Sequence, residues 1–180
     1  DTHFGYKADS SIVLEYFLNF FEKQLFPYMK ENNIKTIFHL GDLFDRRKYI
    51  NFRTLNKIRE RFLEPLQENG QYFNWSVYSE PKEIQLEHAK VALLPWINPE
   101  NEEECAKFIS ETDATILFGH LELYGFQSIR GVSVEQGYDS KHFNKFEFVL
   151  TGHYHIKSSR DNIHYLGTQY QMAFSDVWEP

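Results

Sequence analysis

The chain has 180 residues, enough for one domain with a real core, and 42% of them are hydrophobic and 17% aromatic. Acidic residues outnumber basic ones by 26 to 19, for a net charge of -7, a balance unlike the basic footprint of a general nucleic-acid binder. No apolar run approaches the ~20 residues that span a bilayer, Asp1-Thr2-His3-Phe4 does not read as a signal peptide, and the single Cys105 excludes an internal disulfide, so a cytoplasmic location without membrane contact is expected.

From Asp9 to about Asn32, the apolar residues Ile12, Val13, Tyr16, Phe17, Phe20, Phe21, Leu25 and Met29 recur at helical spacing. Asp9 or Ser10 would cap this helix, and Asn32-Asn33 would stop it. Ile34–Leu40 is rich in β-formers, is ended by Gly41 and reads as a strand. Asn51 would cap a second helix running to about Gly70, with Pro65 bending or splitting it. Short strands are expected near Tyr72–Trp75, Ile84–Glu87 and Val91–Leu94, then a helix from Glu102 to Ser110. Ala114–Phe118, Phe146–Leu150 and Ile163–Leu166 are further strands. Strands alternate with helices early and then crowd together, so the fold class is α/β.

Ligand-type chemistry recurs where these strands end. Leu40 leads into Gly41-Asp42-Leu43-Phe44-Asp45, Phe118 into Gly119-His120, and Leu150 into Thr151-Gly152-His153-Tyr154-His155, while the chain opens with Asp1-Thr2-His3. Ligands of open α/β sheets bind beyond the carboxyl ends of the strands. A glycine before each ligand is expected to let the backbone turn tightly. Each fragment alone reads as an ordinary turn; the signal is their joint order. Mixed Asp and His donors suit manganese, iron or zinc, whereas calcium wants oxygen shells and structural zinc wants thiolates. Two metals sharing a carboxylate would activate a water and clamp a phosphoryl transfer, with no serine or cysteine nucleophile required.

Other features have plainer readings. His39 is expected to be structural or to support a ligand, and His88, His142 and His164 to lie at the surface. Arg46, Arg47, Lys48, Arg53, Lys57, Arg59 and Arg61 crowd one stretch that is either a solvated helix face or a contact for substrate or partner.

Taken together, Asp1-Thr2-His3, Gly41-Asp42-Leu43-Phe44-Asp45, Gly119-His120 and Gly152-His153-Tyr154-His155 resemble the calcineurin-like metallophosphoesterase signature. The resemblance implies two packed mixed β-sheets flanked by helices. It implies Asp1, His3, Asp42 and His155 as ligands of a first metal, with Asp42 bridging to a second that His120 and His153 also hold. Catalysis would then rest on Asp42, His120 and His153 through an activated water, with Arg46, Arg47 and Tyr154 touching substrate. Ile37–Arg46 and Leu166–Gln171 look most like the SbcD-type DNA-repair exonucleases, including phage recombination nucleases. That likeness implies two divalent ions, manganese by the family's habit, with DNA as substrate, an SMC-like ATPase of the SbcC type as partner, and a homodimer.

The sequence departs from this pattern in three places. The Gly-Asn-His-Asp/Glu motif that supplies an asparagine ligand and the proton donor for the leaving group is absent before Gly119. No strand precedes Asp1, and the chain stops soon after Gly167. Residues 1–180 are therefore expected to be one nuclease domain, incomplete at the N-terminus, near Trp75-Ser76 and at the C-terminal cap region. A phosphatase or cyclic-nucleotide phosphodiesterase of the same superfamily is the nearest alternative, and a non-catalytic scaffold with a degenerate site the more distant one.

Overall fold

The computed structural model describes residues 1–46, 48–69 and 76–172. Contacts divide the described residues into two compact units, one within Thr2–Ser76 and one joining Asp1 to the residues from Val77 onward.

In the N-terminal unit, α1 (Ser11–Phe20) begins at Ser10, whose hydroxyl accepts from Val13 N–H at 3.5 Å. It continues through a π-helical turn, Phe21–Leu25, into α2 (Phe26–Glu31), and Asn33 closes it in a left-handed conformation (φ 52°). The second helix repeats the plan. Asn51 caps α3 (Phe52–Ile58) by accepting from Arg53 N–H at 2.9 Å, and a π-helical turn, Arg59–Leu63, leads into α4 (Glu64–Asn69).

The two prolines explain both π turns. Pro27 and Pro65 have no N–H to donate, and in an α-helix their rings would strike the carbonyl four residues back. The residue just before each proline instead donates to a carbonyl five residues back, Phe26 to Phe21 and Glu64 to Arg59. The expected bend at Pro65 is thus a widened turn, with a twin at Pro27. The helices meet through Phe21 and Phe62, ring centroids 4.6 Å apart, with Phe4 5.2 Å from Phe62.

Ile34–Leu40 differs from expectation. It runs without regular secondary structure, and Ile34 and Ile37 are exposed. A β-rich run becomes a strand only when a neighbour supplies ladder hydrogen bonds, and no ladder among the described residues includes it. The strand expected at Tyr72–Trp75 lies outside the described residues.

The C-terminal unit carries a six-stranded mixed sheet. Its strands are β1 (Lys82–Gln85), β2 (Lys90–Leu94), β3 (Ile116–His120), β6 (Phe148–Gly152), β7 (Ser158–Arg160) and β8 (Ile163–Tyr165), in the order β1-β2-β3-β6-β8-β7. β2, β3, β6 and β8 run parallel, and the two edge strands antiparallel. The second sheet, expected to be mixed, is an antiparallel hairpin of β4 (Gln127–Ile129) and β5 (Val132–Ser133). Helix α5 (Glu102–Glu111) buries Cys105 and Ile109 in a core with Ala92, Leu117, Val149 and Tyr165. The architecture is α/β with flanking helices, as expected. No described helix is long and apolar enough to cross a membrane.

Candidate metal centre

The strands β3 and β6 each run two residues further than the sequence suggests, through Gly119-His120 and Thr151-Gly152. Neither glycine makes the expected turn. They are ladder residues, with Gly119 opposite Thr151 and Gly152 opposite His120. Glycine inside a strand often marks a close approach by other atoms. A Cβ on Gly119 would sit 3.3 Å from Leu94 O and 3.1 Å from the Leu121 side chain, and one on Gly152 would lie 2.6 Å from Asp1 Oδ1 and 3.1 Å from His120 Nδ1. Of the three glycines that precede expected ligands, Gly41, Gly119 and Gly152, only Gly41, at φ 144°, has a backbone that favours glycine for its conformation.

Around Gly152 the C-terminal unit gathers three of the expected ligands. The Asp1 side chain is fully buried; its Oδ2 accepts from His153 N–H at 2.9 Å, and its Oδ1 lies 3.4 Å from His120 Nδ1. The rings of His120 and His153 are 5.2 Å apart, edge to face. His153 is held at φ 87°. Non-glycine residues there cost of order 1–3 kcal/mol and cluster at functional sites. His155 follows on the same loop. Its carbonyl accepts from Thr168 N–H at 3.1 Å, and Gly167 passes so close that a Cβ would meet that carbonyl at 2.9 Å.

The N-terminal unit positions His3 and Asp42 differently. Two loops are zipped together by Thr2 and His3 N–H donating to Asp42 O, Phe4 N–H to Leu43 O, and Asp45 N–H to Phe4 O, all within 2.9–3.0 Å. His3 (φ 44°) and Asp42 (φ 46°) are both left-handed, a region that Asp and His enter more readily than most residues. The His3 ring then places Nε2 3.6 Å from Asp42 Oδ2 and Nδ1 3.6 Å from Asp45 Oδ1.

His39 supports this loop. Thr2 donates its hydroxyl hydrogen to Leu43 O at 3.0 Å, so the contact at 3.2 Å between Thr2 Oγ1 and His39 Nε2 requires the histidine to donate.

Three site residues carried no signal as single positions. Trp96, two residues beyond β2, places its ring 4.7 Å from His153 and 5.8 Å from His120. Asp45 orients His3, and Thr2 ties His39 to Leu43. An aromatic just past a strand end was the available clue to Trp96.

The expected substrate contacts separate. Tyr154 belongs to the core: it is 3% exposed, stacks on Tyr165 at 4.6 Å, and donates its hydroxyl to Leu123 O at 3.3 Å. Burial pushes its phenol up to about 12. Arg46 donates to Asp9 Oδ2 at 2.9 Å and lies over the Tyr49 ring, and Arg47 is outside the described residues. Further along, Arg61 forks onto Glu22 (2.7 Å for both contacts) and reaches Glu15, to which Lys57 also donates. Arg59 pairs with Glu64. Most of this basic stretch is therefore matched by carboxylates. His88, His142 and His164 carry none of the site's chemistry. His88 and His142 are exposed, and His164 Nδ1 meets Ser159 Oγ at 2.9 Å.

No family model matches the chain. Over its whole length it is similar to Exonuclease subunit 1 of Enterobacteria phage T4, with 27% identity over 208 aligned positions, and it spans 60% of that protein's length.

Proposed function

We propose that the chain hydrolyses phosphodiester bonds of DNA, with Asp1, His3, Asp42, His120, His153 and His155 holding two divalent cations, manganese by the resemblance. The observation that carries this reading is the gathering of Asp1, His120 and His153 over Gly152, where even a methyl group would collide with Asp1 Oδ1 at 2.6 Å. One buried carboxylate among imidazoles, with no thiolate, is a donor set that fits manganese, iron or zinc. When bound, such cations supply an activated water and neutralise charge on the phosphoryl oxygens.

The chain's own residues do the positioning. The His153 N–H fixes one Asp1 oxygen, which leaves the other directed at His120. Trp96 packs edge to face against His153, ring centroids 4.7 Å apart, and limits how far that imidazole can swing. Arg46 and Arg47 follow the Asp42 loop and would meet substrate phosphates, Arg46 with the guanidinium N–H groups it does not give to Asp9.

The proton donor for the leaving group and the asparagine ligand are proposed to lie in a further segment of the protein near Trp75-Ser76, a junction whose residues up to Trp75 lie outside the described ones. The alignment supports an insertion somewhere: 208 positions against 180 residues leave at least 28 positions of the relative without a counterpart here. The word "subunit" in the relative's name supports assembly with a partner, which the resemblance makes an SMC-like ATPase.

The test is cleavage of labelled duplex and single-stranded oligonucleotides by the full-length natural protein. Activity should vanish with a chelator and return with manganese. A folded, metal-loaded protein that spares DNA but hydrolyses a small phosphomonoester would sink the nuclease reading.

A further inference from the structure

Against a net charge of -7, single cations without a carboxylate partner are common, but several of them gathered in one cavity that no carboxylate lines are informative. Arg46, Lys57, Arg59, Arg61, Lys90, Lys107 and Lys141 each have a carboxylate within reach. In the C-terminal unit, Arg130, Lys157 and Arg160 do not, among the described residues. All three line one cavity of about 410 Å³ between the β4–β5 hairpin and β7, together with Gln127, Ser158 and Ser159 and with no carboxylate.

The cavity is built rather than accidental. Arg160 is pinned: Nη1 donates to Gly125 O and Nη2 to Tyr124 O, both at 3.3 Å, while its guanidinium lies 4.2 Å over the Phe126 ring. Gly125, at φ 81°, leaves room for it, since a Cβ there would lie 3.2 Å from Nη1. Three N–H donors of Arg160 remain beyond those two contacts. The Ser158 hydroxyl is buried with no hydrogen-bond partner among the described residues, which is costly unless something fills that role. Arg130 sits exposed at the hairpin tip and Lys157 exposed beside it, both able to close on an anion.

We propose that this cavity binds a backbone phosphate of the nucleic-acid strand being cut. The proposal rests on the nuclease reading above and names the place where that reading holds its substrate. Lys157 is two residues beyond His155, so one continuous loop would carry both the metal ligand and the phosphate contact. Arg160 supplies a fixed planar donor set suited to phosphate, Lys157 a movable charge, and Ser158 a hydroxyl to donate. Such contacts position the strand without reading its bases.

The experiment is fluorescence anisotropy of a labelled single-stranded oligonucleotide over a salt series, with the full-length protein and its Lys157→Gln, Arg130→Gln and double variants. Lys107→Gln, which makes the same charge change on α5, is the control. Each cavity variant should bind severalfold more weakly, and the slope of log affinity against log salt should flatten by about 0.7 per cation removed. The control should match the wild type. If the oligonucleotide binds and all variants share the wild-type affinity and slope, the cavity proposal is overturned and the nuclease reading stands. A wild-type protein that binds no oligonucleotide overturns both. Equal weakening by Lys107→Gln would reduce the effect to overall charge and also overturn the cavity.

Discussion

His120 and His153 sit at the end of a regular ladder, whereas His3 and Asp42 sit on two irregular loops. In the C-terminal unit, parallel strands fix the backbone and missing Cβ atoms make the room. Among the described residues of the N-terminal unit no regular strand does this, and left-handed residues with four interloop hydrogen bonds take its place. The first arrangement is sensitive to added volume, the second to backbone conformation. Ligands can be positioned with comparable definition by either means, but the two fail differently under substitution.

The largest expected effect tests whether both arrangements serve one chemistry. Asp42→Ala and His153→Ala should each lower DNA cleavage by at least ~1,000-fold, about 4 kcal/mol in the barrier, with circular dichroism unchanged. Substantial activity in either folded variant would remove that residue from the mechanism. Next come the glycines. Gly152→Ala should cost about 1–3 kcal/mol in a denaturant melt through overpacking, and should weaken metal affinity measured by calorimetry. Gly41→Ala should cost a similar ~1–3 kcal/mol through backbone strain instead. Relief of the Gly152→Ala defect by Asp1→Ala, without relief of Gly41→Ala, would separate volume from strain.

A smaller effect is expected at Tyr154. Tyr154→Phe leaves the Leu123 carbonyl short of a donor, so stability should fall by about 0.5–1.5 kcal/mol while cleavage persists. Loss of cleavage at full stability would return Tyr154 to the substrate. The smallest concerns Arg61, whose hydrogen bonds hold Glu22 below the ordinary glutamate range; Glu15 is held low first by Lys57 and then by Arg61. A depressed carboxylate stabilises the fold above its unfolded value near 4.5 and loses that contribution as pH falls through the folded value. Arg61→Gln should therefore reduce stability at neutral pH slightly and flatten its decline below pH ~4.5. An unchanged acid-side melting profile would count against the network. Both glutamates are substantially exposed, so solvent screening keeps this effect small.

Much of the fold was legible because local pattern and tertiary role agreed. The caps at Ser10 and Asn51, strand β2, helix α5 and strand β8 lie within a residue or two of where periodicity puts them. Ile34–Leu40 failed because strand formation depends on a neighbour, which a local pattern cannot supply. Gly119 and Gly152 read as turns because sequence shows a missing side chain but not what fills its place. The hairpin around Arg130-Gly131 went unread because β4 and β5 are short and lack strong apolar alternation. At the site, the order of Asp and His was visible, while Trp96 and the tie from His39 to Thr2 depend on three-dimensional approach.

The paired π turns shift the phase of both helices, and the buried residues follow the shifted phase. An α-helix advances about 100° per residue, so positions four apart drift by about 40° at each step. Thr54, Ile58, Phe62 and Leu66 are all buried at a strict spacing of four. Over twelve residues they would wander about 120° off one face, and one extra residue in a turn returns about 100° of that. The first helix obeys the same arithmetic: Met29 is buried and Tyr28 exposed, the reverse of what unbroken α-periodicity from Leu14 and Phe21 would give. Pro27 and Pro65 therefore act as register marks. Removing one would rotate everything beyond it by roughly a quarter turn, so Met29 or Leu66 would leave the buried face that Phe21 and Phe62, before the prolines, still occupy.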